Sequence, residues 1–184
     1  FENVAKELFR VTKQGGVVVW VVGDATVNGS ETGTSFRQAL FFMDCGFNLH
    51  DTMIYAKPNF SAVGALATRY APVFEYMFVL SKGKPKTFNP IKDRLNKSFG
   101  KKKTGTIRNA DGTMKPMSSL GKEYTEFGQR YNIWTFAPQT QGSNHPAPFP
   151  EQLANDHIIS WSNEGDIVYD CFGGSGTVAK MAHL

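Results

Sequence analysis

Cysteine is scarce in this chain, and its scarcity argues against two common scaffolds. Only Cys45 and Cys171 occur, far apart and outside any CxxC pair, so neither a disulfide framework nor a zinc ribbon is expected. The four histidines, His50, His145, His157 and His183, show no ligand spacing, and no metal site is expected. Long hydrophobic runs are missing too. The longest, GGVVVWVVG, falls short of the roughly 18 residues that span a bilayer and suits a buried strand. No secretory signal opens the sequence. The expectation is a reducing, cytoplasmic setting with no membrane partner. No two prolines are adjacent anywhere in the chain either.

What is present points to a folded domain with one unusual region. A hydrophobic share of 41% with 13% aromatics is enough to build a core and excludes a disordered chain. The net charge of +4 hides an asymmetry. Residues 82–130 hold 13 Lys and Arg against 4 Asp and Glu, whereas the remainder holds 7 against 12. A cationic segment in an otherwise acidic protein suggests a polyanion partner, with a solvated loop as the plainer alternative.

Periodicity orders the rest. In FENVAKELFRVTKQGG, Val4, Leu8 and Val11 recur at helical spacing, and Gly15-Gly16 supplies a stop. VVVWVV (17–22) is apolar on both faces, the pattern of a central strand covered on both sides. GDATVNGSETG reads as a polar loop, with Asp24 expected to cap it. TSFRQALFFMDCGF predicts a helix capped by Thr34 or Ser35 and ended by Gly46. NLHDTMIYAK (48–57) and VFEYMFVLSK (73–82) predict strands, joined by a long loop of the sort that carries function. After the basic region, periodicity returns at NIWTFAP. A proline-rich NHPAPFP follows, then helix EQLANDHIISWS, strand EGDIVYD and helix GTVAKMAHL. This alternation predicts an α/β domain with a largely parallel sheet, interrupted by the basic insertion. Trp20, Trp134 and Trp161 are expected in the core rather than stacked on bases.

A glycine loop between strand DIVYD and the last helix presents backbone N–H groups to a ligand. A phosphate P-loop is rejected because GSGTV carries no lysine after its glycines. A dinucleotide fingerprint is incomplete, since only Gly174 and Gly176 keep the spacing and position 179 is Ala. A nucleoside with an amino-acid tail, S-adenosylmethionine, needs no lysine, and Asp170 at the strand end suits its ammonium group. A turn with no ligand is the remaining alternative.

DCFGGSGT (170–177) resembles the D-P-F-x-G-S-G-T cofactor motif of the amino DNA methyltransferases, which modify adenine N6 or cytosine N4. NHPAPFPEQL (144–153) resembles the same family's HPA-x-FPE-x-L motif, and the order of the two is specific. VTKQGGVVVWVVGD, GFNLHDTMIYAKPN and FEYMFVLSKGKP are similar to the strands that follow the family's catalytic motif. This motif order is that of the β-group. The resemblance implies a Rossmann-like S-adenosylmethionine-dependent methyltransferase fold, α/β, with a permuted motif order and an inserted basic recognition region. Residues 1–81 and 136–184 would form the core, and 82–135 the target-recognition region.

The resemblance implies cofactor contacts from Asp170, Phe172, Gly173, Gly174, Ser175, Gly176 and Thr177, and from His145, Pro146, Ala147 and Phe149. It implies DNA contacts from Lys57, Pro58 and Asn59 at a strand exit, and from Lys101, Lys102, Lys103 and Arg108. The implied partner is double-stranded DNA, in a bacterial or phage restriction–modification setting; a homodimer is admitted but not required. Two departures are expected to matter. Cys171 stands where the family has Pro, as a small buried filler rather than a nucleophile. The catalytic (D/N/S)-P-P-(Y/F) motif is absent and would precede Phe1, and the acid that holds the cofactor ribose would follow the last helix. These 184 residues alone are therefore expected to transfer no methyl group. A DNA-binding module without catalysis and an RNA methyltransferase stay open as alternatives.

Overall fold

The computed structural model describes residues 1–58, 68–138 and 149–183. The chain divides into two compact units, Phe1–Asn89 with Asn132–Leu184, and Pro90–Tyr131. The first unit runs α1 (Glu2–Val11), β1 (Val17–Val22), β2 (Thr26–Val27), β3 (Ser30–Glu31), α2 (Thr34–Asp44), β4 (Asn48–Ala56) and β5 (Phe74–Ser81). The second unit supplies β6 (Arg94–Leu95), β7 (Thr106–Arg108), β8 (Met114–Pro116) and β9 (Phe127–Gly128). The chain then returns to the first unit with β10 (Ile133–Thr135), α3 (Glu151–Trp161) and α4 (Thr177–His183).

Four strands form the central sheet in the order β1-β5-β4-β10. The sheet is mixed rather than largely parallel. β5 enters between β1 and β4 and runs antiparallel to both, while β10 lies parallel to β4. The apolar run of β1 predicts a central strand, yet among the described residues β1 pairs only with β5. It is β5 that is covered on both sides, with Met77, Phe78, Val79 and Leu80 all buried. A register shift between Leu49 and Asp51 leaves His50 as a bulge in β4.

Side chains alternate across a strand, so β5 serves two layers at once. Phe78 and Leu80 join Ala5 and Leu8 of α1, Ala39 and Phe42 of α2, and Phe47 in one cluster. Phe42 sits at its centre, meeting the rings of Phe1, Trp20 and Phe47 edge-on at 5.4, 5.1 and 5.8 Å, a favoured aromatic geometry. On the opposite face Met77 touches α3: its sulfur lies 3.2 Å from His157 Nε2. The His157 ring also packs on buried Trp134, centroids 4.4 Å apart.

Three local expectations are corrected. The loop after β1 is a hairpin, β2 pairing with β3 around Asn28 (φ 50) and Gly29 (φ 79), an Asn-Gly turn whose left-handed residues match the strand twist. Neither Thr34 nor Ser35 caps α2, because the cap position is the left-handed Gly33 (φ 62). Asp24 does that work from a distance, accepting from Ser35 N at 3.1 Å and from the Thr32 and Ser35 hydroxyls. The stretch 166–170 forms no strand, so the glycine loop does not stand at the end of one. The stretch pairs with no described strand, and Ile167 and Tyr169 are 84% and 67% exposed.

Candidate cofactor loop and nucleic-acid interface

The segment that carries the glycine motif is fixed to the first unit by its apolar residues. Cys171 packs against the core cluster. With Tyr169 it lines a pocket against Val4, Leu8 and Val11 of α1. Burial, then the Asp170 carboxylate, pushes the Cys171 thiol pKa up, which keeps it protonated and suits a filler rather than a nucleophile. Phe172 turns outward but keeps its ring 5.8 Å from that of Trp20 in β1.

Beyond this anchor the backbone turns sharply. Gly173, Gly174 and Gly176 all adopt left-handed φ, 44, 53 and 81°, a region that side-chain-bearing residues enter at a cost. Asp170 accepts from Phe172 N at 3.0 Å, Phe172 O from Gly174 N, and Gly173 O from Gly176 N at 2.8 Å. Ser175 Oγ and Thr177 Oγ1 lie 3.2 Å apart. A Cβ built on Gly173 or Gly176 would meet nothing within 4 Å. Gly173 and Gly176 therefore border space open among the described residues, and a ligand can approach the backbone there. The Asp170 carboxylate stands at the entrance to the same turn.

His145, Pro146 and Ala147 lie outside the described residues, as does Asn59. Phe149 is described and exposed, directly before α3. At that point Lys180 of α4 reaches Glu151 at 2.6 Å, so the helices that follow the two motifs are joined at the first turn of α3. Nothing in the sequence signals this pair. It is solvent-exposed and worth well under about 1 kcal/mol, so it reports adjacency rather than strength.

Lys57 is not a free cation at the exit of β4. It forms an ion pair with Glu75 of β5 and lies over the Tyr55 ring. Burial, reinforced by Glu75, raises the Tyr55 phenol pKa.

The second unit concentrates charge without a core. It holds ten Lys and Arg against four Asp and Glu in Pro90–Tyr131, and none of its residues is buried. Backbone bonds shape it instead. β6 pairs with β9, β7 with β8, and Lys102 bridges to Glu123. The lysine run is thereby pinned: Tyr124 N donates to Lys101 O at 3.0 Å, and Lys103 N to Lys122 O at 2.8 Å. Arg130 is engaged within the unit by Asp93, whose pKa it holds down. Lys101, Lys102 and Arg108 are exposed.

Among the described residues no group of three His, Cys, Asp or Glu side chains is placed to hold a metal. No described helix is long and apolar enough to cross a membrane.

A mixed α/β sheet flanked by helices, with left-handed glycines on one loop and a cationic insertion, is an architecture shared with solved DNA methyltransferases. The DNA methylase family of N6- and N4-modifying enzymes matches residues 1–184, and the chain belongs to it. Members of that family are described as DNA methylases. Among its relatives, the orphan methyltransferase M.BamHII of Bacillus amyloliquefaciens is 57% identical over 193 residues, covering 100% of this chain and 72% of M.BamHII. The type II methyltransferase M.MjaI of Methanocaldococcus jannaschii is 28% identical, covering 97% of this chain and 57% of its own.

Two solved structures share the fold. PvuII DNA methyltransferase (cytosine-N4-specific) superposes with a TM-score of 0.68 at 19% identity, over 98% of this chain and 60% of that one. TTHA0409 of Thermus thermophilus, solved with S-adenosyl-L-methionine, gives 0.60 at 23% identity, over 98% and 64%. The chain thus spans three fifths to three quarters of most of these relatives.

Proposed function

We propose that the complete enzyme holds S-adenosylmethionine against the Asp170–Thr177 turn and duplex DNA against Pro90–Tyr131, and methylates an exocyclic amine of adenine or cytosine. The observation that carries this reading is the run of left-handed glycines beside Asp170, with open space at Gly173 and Gly176. When bound, the cofactor supplies an electrophilic methyl group. The chain's own part is positional. Asp170 offers a carboxylate to an ammonium group, the glycines of Gly173–Gly176 let a ligand come close to the backbone, and Phe149 and Phe172 offer apolar surface beside it. His145, Pro146 and Ala147 belong to the same proposed shell on the strength of the motif alone, as Asn59 does to the DNA side. Lys101, Lys102 and Lys103 would neutralise phosphates. Lys57, already paired with Glu75, shapes the β4 exit and would meet DNA only by sharing that carboxylate.

The target base must leave the duplex to reach the cofactor. Alignment of its amine with the methyl group then lowers the barrier without a covalent intermediate. Incubating the complete enzyme with methyl-labelled cofactor and bacterial DNA, then digesting to nucleosides, should place label in N6-methyladenine or N4-methylcytosine. Absence of label in DNA, or label in RNA alone, would overturn the reading.

A homodimer acting in the bacterial cytoplasm completes the proposal. Its support is the outward stripe of Phe36, Leu40 and Met43 on α2, exposed at helical spacing. Leu40→Glu should convert a dimer to a monomer in light scattering; an unchanged mass would remove this surface from consideration.

A further inference from the structure

The second unit contains one element whose shape, chemistry and rigidity fit a DNA groove. β7 and β8 form a two-stranded antiparallel ribbon in register Thr106↔Pro116, Ile107↔Lys115 and Arg108↔Met114. All six residues are exposed. Opposed residues share a face, so Thr106, Arg108, Met114 and Pro116 line one side and Ile107 and Lys115 the other.

The tip is pre-shaped. Asn109 N donates to Thr113 O at 2.8 Å and Gly112 N to Asn109 O at 3.0 Å. Asp111 Oδ1 accepts from Thr113 N and Oγ1 at 2.9 and 2.7 Å, and Asn109 Nδ2 reaches Thr113 Oγ1 at 2.9 Å. Asp111, the acid of this hairpin, is therefore committed to the turn, and these donors hold its pKa down. The Arg108 side chain makes no hydrogen bond or ion pair among the described residues. Its guanidinium lies over the turn, Nη2 3.6 Å from where a Cβ on Gly112 would stand. Arg130, by contrast, is held by Asp93, and Arg94 by Gln129 O and the Tyr131 ring.

We infer that the β7–β8 ribbon enters the DNA major groove and that Arg108 reads a guanine there, with Met114 beside it as an apolar contact. This rests on the DNA-methyltransferase reading above and adds the element and the side chain that choose the sequence. A major groove admits a two-stranded ribbon, and a guanidinium matches the O6 and N7 edge of guanine in two bonds. The pinned turn lets it do so without ordering a loop at the moment of binding. Lys101 and Lys102, set outside this ribbon, contribute attraction that does not depend on sequence.

The test compares the complete wild-type enzyme with Arg108→Ala, Arg108→Lys and a Lys101→Ala/Lys102→Ala/Lys103→Ala variant on a randomised duplex library, sequencing methylated products. Cofactor binding and circular dichroism confirm that each variant is folded, and Arg108→Lys serves if Arg108→Ala is not. Arg108→Ala should lose discrimination at one guanine position by about tenfold or more. Arg108→Lys, which cannot form both bonds, should lose it in part. The triple lysine variant should slow every sequence alike. An unchanged preference, or a uniform loss at all sequences, in the Arg108 variants would overturn the inference. A wild-type enzyme that labels no DNA would instead overturn the functional reading beneath it.

Discussion

Gly174 sits at φ 53 between two other left-handed glycines, and replacing it by valine isolates what the turn is for. An L-residue in this region costs about 1–2 kcal/mol, and a β-branched one fits it worst. The loop escapes that cost by leaving its conformation. Gly173, Gly174 and Ser175 are all exposed, so the rest of the fold need not follow, and global stability should fall by no more than about 2 kcal/mol. A ligand that needs the original backbone must then recover the conformational penalty. Cofactor affinity should drop at least tenfold, equivalent to about 1.4 kcal/mol. Isothermal titration with S-adenosylmethionine reads the affinity, a melting curve reads the fold, and DNA binding without cofactor should stay near normal. Retained affinity within about twofold, in a protein shown to be folded, would mean that the turn only redirects the chain. The assignment of Asp170–Thr177 would then fail.

Three other outcomes follow from the packing and charge. Phe42→Ala empties the centre of the aromatic cluster and should cost about 3–5 kcal/mol in denaturant unfolding. His157 is buried, its Nδ1 unpartnered among the described residues; burial pushes its pKa down to about 4, against a smaller opposing pull from Asp156. Its stability contribution is therefore intact above the unfolded value of 6.5 and is lost as pH falls towards 4, on the order of 3 kcal/mol in all; His157→Phe should flatten that part of the pH–stability curve. Lys101→Ala/Lys102→Ala/Lys103→Ala should weaken DNA binding and lower its log–log salt slope by roughly one for each phosphate no longer neutralised, and an unchanged slope would exclude these lysines from the interface.

The elements legible in the sequence are those whose pattern is local. Val4 and Leu8 at helical spacing mark α1, and the apolar runs mark β1, β4 and β5 within a residue or two. Pairing is not legible, because it depends on partners remote in sequence. β1 and β5 are both apolar, and nothing in either run says that β5 takes the middle. The stretch 166–170 shows the same limit, since DIVYD has strand propensity but becomes a strand only with a neighbour. Asp24 reads as a loop cap, but its service to the first turn of α2 needs tertiary proximity to Ser35. The glycine turn is readable because glycine at left-handed positions is a local demand of the backbone. Asn28-Gly29 is a hairpin signal too, masked by the polar residues on both sides of it. The pairing of Lys57 with Glu75 has no local signal at all.

Asparagines mark both ends of the insertion on the first unit. Asn89 donates through Nδ2 to Ile159 O and Ser162 O at 3.1 and 3.0 Å, tying one stem to the end of α3. At the other stem, Asn132 Nδ2 donates to Thr52 O at 3.2 Å and the Asn132 backbone carbonyl accepts from Ile54 N at 2.8 Å. Between these stems no side chain is buried, so substitutions there draw on no shared core. Such a segment can be rewritten by mutation while the core of the first unit is kept. On the reading proposed above, new sequence preferences then arise without passing through unfolded ancestors. A chimera joined at Asn89 and Asn132 is the natural unit of that change.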